Sequence, residues 1–189
     1  MNTTTHLNVE KQSILVIIDM QTALVNAMPT TEMHTVVTHS KRLIKAAQLL
    51  DIPILVTEQY PAGLGSTVAE LAEVLPTNTL KFPKTVFSCC AVDDFMTALK
   101  TTERKQVIVI GMEAHVCVLQ TVLELQRHGF EVYVNEDAII SRNPQNKANA
   151  LHRMSQNNIA ITNYESVILE WLRDAKHPSF KTISSWLKT

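Results

Sequence analysis

Three side chains with chemistry to offer stand at or near the ends of apolar runs. Asp19 follows Ser13-Ile14-Leu15-Val16-Ile17-Ile18, and Lys84 sits in Lys81-Phe82-Pro83-Lys84-Thr85-Val86-Phe87-Ser88. Cys117 comes shortly after Val107-Ile108-Val109-Ile110, in Gly111-Met112-Glu113-Ala114-His115-Val116-Cys117. A carboxylate, an ammonium and a thiol are the parts of nucleophilic catalysis: a base to take the thiol proton, a sulfur to attack and a cation to hold both. At the start of a helix, free N–H groups and the dipole favour a thiolate, so the position of Cys117 points to a thiol with a raised thiolate fraction at neutral pH. A thiol is equally an ordinary small core residue, and Val116, Leu119, Val122 and Leu123 on the same segment are core material. Position alone leaves the two readings balanced.

The elements that must position these groups are legible in the apolar pattern. The run 13–18 is continuous and β-branched, as in a strand covered on both faces. Val36, Val37, Leu43, Ile44, Ala47 and Leu50 recur at helical spacing over 34–50. A second strand is expected over 52–57, with Pro53 tolerated at its beginning. A glycine-containing loop follows, then a short helical pattern through Leu71 and Leu75, a short strand over 85–87 and a helix over 93–100. The rest alternates regularly: strand 106–110, helix through Leu125 stopped by Gly129, strand 130–134, helix 144–156, strand 159–162 and helix 164–174. A terminal helix docks back through Phe180, Ile183 and Leu187.

This alternation predicts an α/β fold of three α/β/α layers, with a six-stranded, mostly parallel sheet in the Rossmann-like order 3-2-1-4-5-6. In such a sheet ligands bind at the carboxyl ends of the strands, where the strand order reverses. Strands 1 and 4 meet there, so Asp19 and the segment 111–117 converge on the expected crevice. Gln59, Tyr60 and Pro61, at the end of the second strand, are candidate substrate contacts, as are Phe87 and His115 beside Lys84 and Cys117. A Cys117–His115 dyad is disfavoured, because residues two apart on a helix do not face each other.

With 189 residues and 46% hydrophobic composition the chain fits a single domain over 1–189, its core at about 11–175 and a tail over 176–189. The 17 basic and 18 acidic side chains are scattered, which argues against a nucleic-acid or anionic-membrane partner. The first residues lack the pattern of a targeting peptide and no apolar run approaches a membrane span, so a soluble, cytoplasmic protein is expected. Three cysteines, two of them adjacent, fit reduced thiols better than a disulfide framework.

Taken together, ILVIIDMQ (14–21), KFPKTVFS (81–88) and GMEAHVCVLQT (111–121) resemble the isochorismatase-like cysteine hydrolase superfamily. The likeness extends through VTEQYPAGLGST (56–67), NEDAIISR (135–142) and HPSFK (177–181), in the branch of the isochorismatase-domain proteins and YcaC-like hydrolases. It implies a catalytic set of Asp19, Lys84 and Cys117, backbone N–H groups of Glu113 and Cys117 as an oxyanion hole, and a non-proline cis peptide at Met112–Glu113. It further implies hydrolysis of a small-molecule amide, without a cofactor, by a homo-oligomer; the apolar tail with Phe180, Ile183, Trp186 and Leu187 either contributes a contact there or covers its own domain. The nicotinamidase branch carries Asp-x-His after its second strand for a metal; here the stretch reads Thr57-Glu58-Gln59-Tyr60-Pro61, and no metal is expected. Two other functions stay open: vinyl-ether hydrolysis without a covalent step, and a binding or scaffolding module that keeps the pocket.

Overall fold

The computed structural model describes residues 7–187. Its centre is a parallel sheet of six strands: β1 (Ser13–Ile18), β2 (Ile54–Gln59), β3 (Leu80–Lys84), β4 (Gln106–Met112), β5 (Glu131–Ile140) and β6 (Ala160–Thr162). The order is β3-β2-β1-β4-β5-β6, as the alternation of strands and helices predicts. β1 and β4 lie at the middle and are buried along their whole length, because each carries apolar side chains toward both layers of helices.

The two faces of β1 sort its neighbours. Leu15 and Ile17 pack under α2 (Thr30–Leu49), α8 (Tyr164–Leu172) and α9 (Phe180–Leu187). Ile14, Val16 and Ile18 pack under α5 (Asp93–Thr101), α6 (Leu119–Arg127) and α7 (Pro144–Gln156). Short helical segments α1 (Thr22–Asn26), α3 (Pro61–Leu64) and α4 (Ala69–Ala72) lie in the connections that follow β1 and β2. The terminal helix docks on its own chain, with Ile183 fully buried and Phe180, Trp186 and Leu187 packed against the same core.

Four strands depart from the sequence pattern, the fourth by running two residues further than expected, to Met112. The third strand is Leu80–Lys84 and not 85–87. Pro83 hides it from the sequence, yet β3 is an edge strand, where a missing N–H leaves no ladder bond unmade. The second strand runs two residues further than expected and ends at Gln59. The fifth runs on to Ile140, because its register against β4 jumps from Val109↔Val134 to Gly111↔Ile139 and the polar Asn135-Glu136-Asp137 is absorbed in the irregularity.

Candidate active site

Asp19 stands immediately after β1, fully buried, with φ of 52°. Left-handed backbone at a non-glycine residue is uncommon and is over-represented at functional sites. The neighbouring strands explain how the groups meet. Thr57 of β2 and Gly111 of β4 are both in register with Ile18, and Gln59 of β2 is in register with Lys84 of β3. Alternate strand residues share a face, so Thr57 and Gln59 point together toward the α5–α6 side, as do Phe82 and Lys84.

Lys84 Nζ donates to Asp19 Oδ2 at 2.6 Å, and neither side chain has any exposure. The same ammonium reaches Gln59 Oε1 at 2.6 Å and the carbonyl oxygens of Phe87 and Val86 at 3.2 and 3.3 Å. The other oxygen of Asp19 accepts from Thr57 Oγ1 at 2.7 Å. Burial works against the charge on Lys84, but Asp19 together with the Cys89 and Cys117 thiols outweighs it and holds the pKa above the usual lysine value.

Cys117 arrives from the other side, in a π-helical turn (Ala114–Val118) that leads into α6. Such turns are rare and collect at functional sites. Its thiol is nearly buried and interacts with both the Asp19 carboxylate and the Lys84 ammonium. Burial, reinforced by the Asp19 charge, pushes the thiol up to about 12, and Lys84 only partly opposes this. The expected rise in thiolate fraction is therefore not met in the resting site: the cost of a buried charge beside a carboxylate exceeds the help of the lysine and the helix start.

Met112–Glu113 is a cis peptide. The Glu113 carboxylate accepts from the Arg142 backbone N–H at 2.9 Å and forms an ion pair with its guanidinium at 3.1 Å. That pairing turns the carboxylate toward the end of β5. Among the candidate substrate contacts, Gln59 faces inward and is occupied by Lys84 and by Thr85 O, to which it donates at 2.8 Å. Tyr60 and Pro61 line a cleft of about 420 Å³ along the β3 edge, together with Lys84 and Val86. Phe87 is over half exposed, and His115 is engaged through Nδ1 with Ser141 Oγ at 3.0 Å.

Sequence reasoning missed Thr57, whose only signal is that equal strand ends place it beside Asp19. It also missed the Glu113–Arg142 pair, which depends on the longer β5. Among the described residues, no group of three or more His, Cys, Asp or Glu is clustered as a metal site, and no helix is long and apolar enough to cross a membrane.

A doubly wound parallel sheet with carboxylate, ammonium and thiol at its carboxyl edge defines a protein of the isochorismatase-like hydrolase superfamily. The isochorismatase domain model matches residues 13–166, and the chain belongs to that family. It is 40% identical to isochorismatase domain-containing protein 1 of Danio rerio over 81% of this chain, which spans only 53% of that longer relative. Among solved structures, the MAR1 ribonuclease of Caenorhabditis elegans superposes with a TM-score of 0.91 at 38% identity, covering 97% of this chain and 93% of that one. YcaC of Pseudomonas aeruginosa, with hexane-2,5-diol and covalent acrylamide, gives a TM-score of 0.86 at 25% identity over 99% and 96% of the two chains.

Proposed function

We propose that this chain is a cysteine hydrolase that cleaves the C–N bond of a small amide through a thioester on Cys117, without a metal. The observation that carries the reading is the buried Asp19–Lys84 pair at 2.6 Å with the Cys117 thiol interacting with both partners. Because the resting thiol is neutral, its proton passes to Asp19 as sulfur attacks the carbonyl carbon, and no standing thiolate is required. The S–C bond forms and the carbonyl electron pair moves onto oxygen. Backbone N–H groups of Glu113 and Cys117 receive that oxyanion; in the turn between them the Glu113 carbonyl is taken by the amides of Val116 and Val118.

The intermediate collapses, the C–N bond breaks, and the leaving amine takes the proton from Asp19. Water then gives a proton to Asp19 and attacks the thioester, and the acid product departs as the thiol is restored. Lys84 remains charged throughout and keeps the carboxylate in place.

The covalent acrylamide in the Pseudomonas aeruginosa protein supports the nucleophile in this reading, since the electrophilic alkene of acrylamide adds to a thiol while its amide C–N bond stays intact. Ribonuclease activity, named for the Caenorhabditis elegans neighbour, is not carried over. A phosphodiester backbone is held by clustered Lys and Arg, whereas this chain has net charge -1 and Lys84 is neutralised by Asp19. We place the reaction in the cytoplasm, where the three free thiols stay reduced. The proposed assembly is a homo-oligomer that uses surfaces other than the α9 face already packed on its own core; light scattering that finds a monomer at micromolar concentration rejects it.

The test is to incubate the protein with pooled small amides, quench in acid and measure intact mass. An acyl adduct on Cys117 with release of ammonia or amine is expected, and Asp19→Asn and Lys84→Ala each suppress turnover by orders of magnitude. Full turnover by Cys117→Ala rejects the covalent route in favour of a non-covalent hydrolase. Absence of turnover for every compound favours a binding module.

A further inference from the structure

Strand β2 devotes two residues of one face to the ion pair. Gln59 accepts from Lys84, and Thr57, two positions earlier, donates its hydroxyl proton to Asp19. Thr57 is fully buried, and its oxygen is also an acceptor: Cys89 Sγ, likewise without exposure, stands 3.7 Å away as donor. The Cys89 backbone N–H is anchored on Thr121 Oγ1 at 3.0 Å, one helical turn beyond Cys117. A hydroxyl has one proton, and its rotation decides which acceptor receives it. With the Cys89 thiol proton entering from one side, the Thr57 proton is aimed at Asp19. The carboxylate is then gripped at Oδ1 by Thr57 and at Oδ2 by Lys84, so it cannot turn away from Cys117.

We infer that Thr57 is a positioning residue for Asp19 and that Cys89 sets the direction of the Thr57 proton. The inference rests on the reading of Cys117 as nucleophile with Asp19 as its base. A fixed carboxylate takes the thiol proton without first reorienting, which is the advantage of a preset geometry.

The rate of Cys117 alkylation by acrylamide at neutral pH, followed by peptide mass spectrometry on the full chain, measures this without a known substrate. Thr57→Val keeps the shape and loses the hydroxyl; Thr57→Ser keeps the hydroxyl and loses the methyl. Loss of a hydrogen bond to a charged group predicts that Thr57→Val slows alkylation about tenfold or more, whereas Thr57→Ser stays within about threefold of the wild type. Equal rates, or a fast Val and a slow Ser as packing alone requires, overturn the assignment; unfolding temperatures recorded alongside show whether each variant is folded.

Cys89→Ala is expected to slow the reaction a few fold and Cys89→Ser, which still donates, to restore it. Equal rates in that pair overturn the part given to Cys89, and the pair decides the matter if Thr57→Val fails to fold. Alkylation that bypasses Cys117 in the wild type, or an Asp19→Asn variant as fast as the wild type, overturns the nucleophile-and-base reading itself and this inference with it.

Discussion

Gly111 faces Ile18 across the β1–β4 pairing with so little room that a Cβ on it would lie 2.0 Å from the Ile18 carbonyl oxygen. Its φ of 119° is also one that other residues rarely adopt. Gly111→Ala therefore has to push the two central strands apart at the residue before Asp19. Overpacking and backbone strain together are expected to cost on the order of 3 kcal/mol, seen as a fall of roughly 6–12 °C in unfolding temperature. An unchanged unfolding temperature would show that the strands separate freely there.

The Lys84–Asp19 pair predicts a double-mutant cycle with strong coupling. Removing one partner leaves a buried, unpaired charge, so Lys84→Met alone is expected to lose about 3–5 kcal/mol in denaturant unfolding. Asp19→Asn with Lys84→Met removes both charges and should cost clearly less than the sum of the single changes. Additive losses would mean that the pair is not coupled in solution.

Stability is expected to fall as the solution becomes alkaline. Burial raises the thiols of Cys89 to about 11 and of Cys90 and Cys117 to about 12, from an ordinary value of 9.0. Above pH 9 the unfolded chain releases these protons while the folded chain keeps them, so their contribution, complete below pH 9, is lost as pH rises toward 11–12. Each fully buried thiol steepens the decline by up to about 1.4 kcal/mol per pH unit. Lys84, also raised, acts in the same direction above 10.5. Thermal unfolding at pH 8 and 10 should show the decline, and Cys89→Ala should make it shallower; parallel curves would refute the assignment.

Alkylation with limiting iodoacetamide is expected to label Cys117 ahead of Cys89 and Cys90. All three thiols are neutral at rest, so the difference lies in the neighbouring base: Cys117 interacts with the Asp19 carboxylate, whereas Cys90 Sγ points to the carbonyl of Thr121 at 3.8 Å. Peptide mapping that finds Cys90 labelled first would indicate that exposure, and not Asp19, governs reactivity.

The strand order and the convergence of Asp19 with the 111–117 segment were legible because uniformly apolar strands and regular alternation leave few topologies open. The position of β3 is not legible, because Pro83 reads as a break and only the sheet context shows it at an edge. The protonation of the thiol is not legible in the sequence for a related reason. Proximity to a helix start and a lysine can be read along the chain, but desolvation depends on what covers Cys117 in three dimensions. Gln59 is a candidate substrate contact because strand ends border the crevice; its register with Lys84 depends on the two residues by which β2 exceeds the sequence pattern.

The four oxygens around Lys84 have a practical consequence for the choice of an inactive form. An ammonium has three protons, and two of its acceptors here are main-chain carbonyls of Val86 and Phe87, so the charge also fastens the turn after β3. Replacing Lys84 thus releases a surface segment as well as disabling the site, and a cellular defect in such a variant would mix lost chemistry with lost shape. Cys117→Ala removes one sulfur, leaves all four oxygen partners of that ammonium in place, and is the variant whose phenotype reports most directly on the reaction.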